Sequence, residues 1–201
     1  MTMSELRRHS VLLKSVGCTL GEGVYSPSSH PRIYKLWGNI IYRCFSEDFL
    51  RKEPSYRGCS ICKDWLDFQK FARFYDSVVY KEDGWHLDKD ILVKGNKEYA
   101  PDKCAFVPPE INKLFVGRRL YRGSTPAGVF YDLRRKRYKA SMHDGTGKTK
   151  YRGRYHTVRE AFDAYKAAKE SRIRAVAEKY KDRISPDLYR AMINYKIEMT
   201  D

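Results

Sequence analysis

The chain has 201 residues, of which 42% are hydrophobic and 14% aromatic, so it holds enough apolar material for one or two small packed domains. No run of about 18 apolar residues is present, so we expect no transmembrane helix, and the basic N-terminus lacks the apolar stretch of a secretory signal. The 40 Lys and Arg outnumber the 25 Asp and Glu, and the formal net charge of +15 indicates a polyanionic partner, most often nucleic acid.

The excess positive charge is concentrated in one segment. Residues 1–116 hold 18 Lys and Arg against 15 Asp and Glu, a net +3, and residues 184–201 have a net charge of −1. Residues 117–183 hold 20 against 7, a net +13. We therefore expect two domains with different roles, of which the second binds the polyanion. A generally basic surface without a specific partner is the simpler alternative.

The first part of the chain predicts a loop followed by two helical segments. Residues 1–30 are rich in Gly, Ser and Pro and are predicted to form an N-terminal loop segment. Pro31 then opens a pattern of apolar residues at steps of three and four, and a second such pattern covers residues 65–75. We interpret both aromatic stripes as core rather than as surfaces that stack on bases.

The segment before residue 116 predicts a hairpin and a short helix. Residues 91–93 and 97–99 flank Gly95-Asn96, which is typical of two strands around a tight turn. Pro108-Pro109-Glu110 then begins a helix that carries Asn112. Together with the helices before them, these elements predict a first domain over residues 31–116.

After a predicted linker over 117–127, residues 128–201 predict a sheet and two helices. The strands are expected over residues 129–131, 138–142 and 150–155, joined by a basic turn and a Gly-rich turn. Thr157 and Glu160 have the spacing of a capping box at the start of a long helix. A last helix is predicted after Ser185-Pro186.

The predicted sheet has one apolar and one basic face. Alternation places Tyr138, Ala140 and Met142 on one face and the side chains between them on the other. If the long helix covers the apolar face, the open basic face can lie in the major groove of DNA, where Lys and Arg reach phosphates and guanine edges. The candidate DNA-binding residues on this face and in its turns are Arg134, Arg135, Lys136, Arg137, Lys139, Ser141, His143, Lys148, Lys150, Arg152 and Arg154.

The C-terminal half resembles the Apetala/ethylene-response-factor DNA-binding domain. The motifs that carry the resemblance are, in order, Gly128-Val-Phe-Tyr, Tyr138-Lys-Ala-Ser, Arg152-Gly-Arg-Tyr-His-Thr157 and Ala161-Phe-Asp-Ala-Tyr165. The resemblance implies three strands packed on one helix and an exposed sheet face that reads duplex DNA. Arg152 stands where the family usually has an apolar residue before the glycine, so the register of the third strand is left open.

The N-terminal half resembles HNH-type endonucleases of phages and mobile elements that carry the same C-terminal module. The residues that carry this resemblance are Trp37 with Arg43-Cys44, Cys62-x-x-Trp65, Leu87-Asp-Lys-Asp90 and Tyr99-x-Pro-x-x-Cys104. The resemblance implies a hairpin and a helix that grip one divalent metal, magnesium or manganese, next to a His that activates water. Hard oxygen ligands and a base are what this chemistry requires.

The same resemblance implies roles for individual residues. Asp88 matches the metal-binding acid and Asn112 the second ligand. Lys89 stands where the family has its catalytic His, and a lysine is a poor base unless it is strongly desolvated. His86 lies close by as another candidate for the catalytic residue. Turn capping and surface charge would also explain Asp88 and Asp90.

The cysteines suggest a second metal site. Cys44, Cys59, Cys62 and Cys104 would be enough for a structural tetrahedral zinc, which would stabilise a small domain. Only Cys59 and Cys62 have the CxxC spacing, so four buried reduced cysteines are an equal alternative. The odd total of five argues against a disulfide framework.

The sequence therefore predicts an α+β protein in which an HNH-like ββα domain with flanking helices precedes a three-stranded antiparallel sheet packed on a long helix. We expect an endonuclease that cleaves double-stranded DNA with magnesium or manganese in the cytoplasm of a phage-infected bacterium, with no membrane partner. Two alternatives stay open. One is a DNA-binding regulator without activity, and the other is an inhibitor that binds a host protein through the same basic face.

Overall fold

The computed structural model of the protein describes residues 11–115, 125–143 and 149–201. They divide into two compact units, and each unit is discontinuous in sequence. The first comprises Met1–Val79 and Val93–Cys104, and the second comprises Tyr80–Leu92 and Ala105–Asp201. Residues 105–115, which the sequence assigned to the N-terminal domain, thus belong to the same unit as the C-terminal sheet.

The elements confirm the predicted mixed α+β class. The helices are α1 (Pro31–Phe45), α2 (Glu47–Lys52), α3 (Phe68–Ser77), α4 (Pro109–Phe115), α5 (Val158–Lys179) and α6 (Pro186–Ile193), with 3-10 turns at Pro54–Tyr56 and Lys63–Leu66. The strands are β1 (Ser60–Ile61), β2 (His86–Asp88), β3 (Glu98–Tyr99), β4 (Ala105–Val107), β5 (Val129–Asp132), β6 (Arg137–His143) and β7 (Thr149–Tyr155). Residues 11–15 are also helical. Within the described part of the chain, no helix is both long and apolar enough to cross a bilayer.

The first unit is built around α1 and α3, whose apolar residues follow the predicted helical spacing. The buried apolar residues of α1 are Ile33, Trp37, Ile40, Ile41 and Cys44. Phe68 and Phe71 of α3 are fully buried, so the second aromatic stripe is also core. Trp65 lies in the turn before α3, and its carbonyl accepts a hydrogen bond of 2.7 Å from the Trp37 indole. This bond joins the two stripes and satisfies a buried polar group.

The prediction of a hairpin around Gly95-Asn96 is wrong, although the predicted turn is present. The Asn96 N–H donates to the Val93 carbonyl at 3.0 Å, and Gly95 has a φ of +79°. Residues 91–93 form no strand, however, and β3 pairs in parallel with β1. The antiparallel partner of β2 is β4. A run of two or three apolar residues does not encode its partner, because pairing is decided by which distant segments bury their side chains together.

In the second unit, β5, β6 and β7 form an antiparallel sheet in that order, and α5 packs on it. Val129 and Ala140 face each other across β5 and β6 and are buried in one core with Ala161 and Phe162 of α5. The capping box predicted at the start of α5 is present. The prediction of a three-stranded sheet on a long helix is therefore confirmed.

The register of β7 contains a bulge at Arg152. Ala140 pairs with Gly153 while the next residue, Ser141, pairs with Tyr151, so Arg152 has no partner on β6. Gly153 has a φ of +125°, a conformation that residues with a Cβ rarely adopt. The bulge resolves the open register of the third strand, because the unexpected arginine stands outside the regular pairing.

The β2–β4 pair and α4 share the core of the C-terminal sheet. Val107 of β4 and Ile111 and Leu114 of α4 are buried in the same cluster as Ile173 and Val176 of α5. Burying these side chains stabilises the contact by the removal of apolar surface from water. Helix α4 is therefore positioned by α5 as well as by the strands that precede it.

Glu110 adds a charged contact between α4 and α5. Its carboxylate accepts hydrogen bonds from Arg172 and from the Tyr180 hydroxyl, each at 3.0 Å, and from the Lys179 ammonium. Burial raises the pKa of Glu110, but the Lys179 and Tyr180 hydrogen bonds and the nearby positive charges outweigh it and hold the pKa below its usual range. The ionised carboxylate thus stabilises the docking of the two helices.

We expect Glu110→Gln to lower the free energy of unfolding by about 1–3 kcal/mol at pH 7, because it weakens charge-assisted hydrogen bonds. The contribution of the carboxylate is fully present above its ordinary pKa of 4.5 and is lost as the pH falls through the lower pKa of the folded state. Urea denaturation at a series of pH values measures both effects. The control is Glu82→Gln, which removes an exposed ion pair with Arg183 and should lower the free energy of unfolding by less than Glu110→Gln does. Equal losses for the two variants would contradict the assigned role of Glu110.

Candidate functional site

His86, Asp88 and Asn112 lie on one side of the β2–β4 pair. His86 and Asp88 are two residues apart on β2 and so point to the same face, while Leu87 between them is buried on the other. The side-chain Nδ2 of Asn112, on α4, lies 2.8 Å from Nδ1 of His86. The structure thus brings a residue of the strand and a residue of the helix into direct contact, and Asp88 extends from the same strand face.

Asp88 also holds the turn that follows β2. Its Oδ1 accepts hydrogen bonds from the backbone N–H groups of Asp90 at 2.8 Å and Ile91 at 2.9 Å. Burial raises the pKa of Asp88, and these two hydrogen bonds partly oppose that effect. The turn capping considered from the sequence is therefore present. Both hydrogen bonds of the turn go to Oδ1 of Asp88, and Oδ2 takes no part in the turn.

Lys89 has a different environment from His86. Its side chain is 7% exposed, and its ammonium forms an ion pair with the carboxylate of Asp90. An ammonium in an ion pair is a hydrogen-bond donor without a lone pair, so it cannot accept a proton. Of the two candidates near Asp88, His86 is the exposed one, and it has a ring nitrogen beyond the one that Asn112 contacts.

The donor set of this site suits a hard divalent cation. Because Nδ2 of Asn112 faces His86, its Oδ1 is the atom left for a cation, and Asp88 offers Oδ2. Mg²⁺ commonly takes one or two protein oxygens and completes its shell with water and substrate phosphates. In the described residues, no group of three or more His, Cys, Asp or Glu side chains is arranged to hold a metal.

The four cysteines predicted as a zinc site all lie in the first unit. Cys44, Cys59 and Cys104 are buried, and Cys62 is half-buried. Burial raises the pKa of the Cys62 thiol, which favours the protonated form over the thiolate that zinc requires. All five cysteines of the chain fall within the described ranges; none forms a disulfide, and none belongs to a metal-ligand group. The geometry thus adds no support to the zinc prediction.

The open face of the C-terminal sheet is centred on Tyr151. Lys139 and Arg154 pair across β6 and β7, and both approach this ring: Lys139 Nζ lies 5.5 Å and Arg154 Cζ 5.2 Å from its centroid. Phe130 of β5 lies opposite Lys139 and is 47% exposed. An exposed ring flanked by cations can contact both phosphates and bases.

The remaining predicted DNA-binding residues are distributed around the sheet. Those of the β5–β6 turn and the start of β6 are Arg134, Arg135, Lys136 and Arg137, and Asp132 fixes the turn by accepting the Arg135 N–H. Ser141 is buried. Lys148 and the side chain of His143 lie outside the described residues. Lys150 and Arg152 line a cleft beside α5 and so differ in location from Lys139 and Arg154.

Sequence reasoning missed Tyr151 and Phe130 on the open face and Arg172 beside the cleft. In a strand without a bulge, Tyr151 would point to the same face as Gly153, which is the face that α5 covers. The bulge at Arg152 reverses this, so that Tyr151 points to the open face. Phe130 could have been found from its position opposite Lys139, because Phe130 and Val129 alternate on β5. Arg172 belongs to α5 and gave no signal in the strand pattern.

Comparison with known proteins gives no match. No family model, no curated protein and no solved structure is significantly similar to this chain. The two resemblances based on motifs stay predictions, and any function assigned to the protein depends on the geometry of its own residues.

Proposed function

We propose that the protein is a metal-dependent DNA endonuclease of the HNH type that binds duplex DNA with the open face of its C-terminal sheet. The observation that carries the proposal is the 2.8 Å contact between His86 and Asn112, which are 26 positions apart in the chain. The resemblance identifies a hairpin and a following helix as the two parts of one metal-binding motif. Contact between a residue of β2 and a residue of α4 is what such a motif requires.

In this proposal Asp88 and Asn112 hold the cation through oxygen atoms. Bound there, Mg²⁺ or Mn²⁺ would supply positive charge to the scissile phosphate and to the attacking water. With the Asn112 amide nitrogen facing Nδ1, the neutral His86 ring carries its proton on Nε2. From Nε2 it would donate a proton to the leaving-group oxygen, and the attacking water, made more acidic by a bound cation, would lose its proton to solvent. Lys89 stays paired with Asp90 and supports the turn after β2.

A DNA-binding protein without nuclease activity is the second candidate, and the environment of Lys89 favours it. The position that matches the catalytic His of the family holds a buried ammonium in an ion pair with Asp90. With its proton on Nε2 and Asn112 at Nδ1, His86 can replace that residue as a proton donor but not as the base that activates water. The open face around Tyr151 would still bind DNA if the centre were inactive.

The activity is tested by incubating supercoiled plasmid with the full-length protein and Mg²⁺ or Mn²⁺, with EDTA as the metal-free control. Nicked or linear plasmid that forms only with metal supports the endonuclease. Plasmid that is bound but stays intact with both metals contradicts the enzyme and selects the second candidate. Metal analysis of the purified protein, done on the same sample, reports whether a cation is bound in solution.

We expect duplex affinity to fall steeply with salt and to weaken when Lys139 or Arg137 is replaced by alanine. Each phosphate contact contributes about −0.9 to the slope of log K against log salt, so each variant should lower that slope by about 1. Fluorescence anisotropy with a labelled duplex measures the slope. The control is Lys35→Gln, which removes one positive charge from an exposed position of α1. Affinity that responds neither to salt nor to the two alanine substitutions would contradict the open face as the binding surface.

A further inference from the structure

A cationic cleft lies between β7 and α5, separate from the open face. Its volume is about 270 Å³. Helix α5 lines it with the small side chains of Ala168, Ser171 and Ala175, and the charged residues of the lining are Lys150, Arg152 and Arg172. No acidic side chain occurs among the described residues that line the cleft. Its charge therefore favours an anion.

The cleft and the open face lie on opposite sides of one edge strand. The sheet order makes β7 an edge, with β6 as its neighbour. Lys150 pairs with Met142, whose side chain is buried in the cleft lining, while Tyr151 is exposed next to Lys139. Because neighbouring residues of a strand point to opposite faces, β7 presents Tyr151 to one side and Lys150 to the other. A polyanion that passes over this edge meets positive charge on both sides.

Arg172, which lines the cleft, carries one guanidinium N–H without a hydrogen-bond partner among the described residues. Its Nη2 donates to Glu110 at 3.0 Å. Its Nε is buried, and no acceptor for it occurs among the described residues. Buried guanidinium N–H groups are normally hydrogen-bonded, because leaving one without a partner is unfavourable. An oxyanion in the cleft would provide an acceptor beside this side chain.

We infer that the cleft binds a backbone phosphate of the duplex that lies on the open face, an inference that rests on the proposed DNA binding. The planar fork of a guanidinium matches the oxygens of a phosphate, and the cleft offers two such groups and an ammonium. Among the described residues that line it there is no aromatic ring on which a base could stack. The cleft therefore contributes affinity that is the same for all sequences, and base recognition belongs to the open face.

The test compares three variants of the full-length protein. Lys150→Gln combined with Arg152→Gln removes two exposed charges from the cleft and keeps Arg172, which also binds Glu110. Lys139→Ala weakens the open face, and Lys35→Gln combined with Lys52→Gln, which removes two exposed charges from the first unit, is the charge-matched control. We expect the cleft variant to bind every duplex more weakly by the same factor and to lower the salt slope by about 1, since one phosphate contact is lost. Circular dichroism confirms that each variant is folded.

A second measurement follows the Arg172 Nε–H signal in ¹⁵N-labelled protein during titration with a duplex and, separately, with inorganic phosphate. A shift that the duplex produces in the wild type and that the cleft variant lacks supports the inference. If inorganic phosphate shifts the signal and the duplex does not, the inference is overturned, because the cleft would then bind a free anion rather than the DNA backbone. The absence of any shift also overturns it.

The outcomes separate the cleft from the proposed function. If the cleft variant binds DNA as well as the wild type while Lys139→Ala binds weakly, the cleft does not bind a backbone phosphate. The proposal that the open face binds DNA is then unaffected. If the wild type binds no duplex, the proposed function and the backbone phosphate both fail, whatever inorganic phosphate does.

Discussion

Replacing Asn112 by alanine should reduce metal-dependent DNA cleavage by about 10²–10⁴-fold, the range for loss of a positioned catalytic group. The side chain has two roles in the proposed centre, because Nδ2 contacts His86 and Oδ1 is the atom left for the cation. The substitution removes both at once. Duplex affinity should change little, since Asn112 lies on α4 and the open face consists of β5, β6 and β7. Single-turnover cleavage and anisotropy on the same preparation measure the two quantities.

Two further variants make this prediction specific. His86→Ala and Asp88→Ala should each cause a loss in the same range, because they remove the other members of the centre. Lys113→Gln changes an exposed residue next to Asn112 on the same helix and should leave the cleavage rate unchanged. Cleavage that survives in Asn112→Ala at the wild-type rate would show that the His86–Asn112 contact serves the fold alone.

Gly128→Ala should lower the free energy of unfolding by about 2–5 kcal/mol and weaken DNA binding with it. Gly128 precedes β5 with a φ of +73°, and a Cβ built on it would lie 2.0 Å from the Tyr165 ring of α5. The left-handed conformation costs a residue with a Cβ about 1–2 kcal/mol, and overpacking adds about 1–3 kcal/mol. The backbone or Tyr165 must move, and either shift disturbs the packing of β5 on α5.

The matched control for this substitution is Gly84→Ala. Gly84 lies in the same unit with a φ of +82°, but a Cβ there would meet no atom within 4 Å. It should therefore show the conformational cost of about 1–2 kcal/mol without the packing cost. Urea denaturation of the two variants measures the difference. If Gly128→Ala proved no more destabilising than Gly84→Ala, close contact with Tyr165 would not be what requires glycine at residue 128.

The parts of the fold that could be predicted are those with local signals. The spacing of apolar residues in α1, the capping box of Thr157 and Glu160, and the alternation in β6 all act within a few residues of one another. The pairing of β1 with β3 and of β2 with β4 could not be read in this way. These strands have two or three residues each, and their partners were chosen by burial of distant segments such as Tyr99 and Phe106.

The candidate site shows the same division. Motif resemblance selected His86, Asp88 and Asn112 as residue types, but the contact between His86 and Asn112 depends on α4 packing against α5. The burial of Lys89 could not be anticipated, because a charged side chain is normally exposed. The cleft could not be predicted from the sequence either. Two of its cations come from a bulged strand, and the third belongs to a long helix whose charged residues have the pattern of an ordinary solvent-exposed face.

The interleaving of the two units has a consequence for synthesis of the chain. The first unit needs Val93–Cys104, and the second begins earlier, at Tyr80–Leu92. On the ribosome, β2 therefore emerges before the first unit has received its last strand, and β2 waits for β4 and α5 to complete its own core. The two units therefore cannot fold strictly one after the other, as tandem domains do. A chain that ended near residue 116 would lack α5, the helix against which Ile111 and Leu114 are buried.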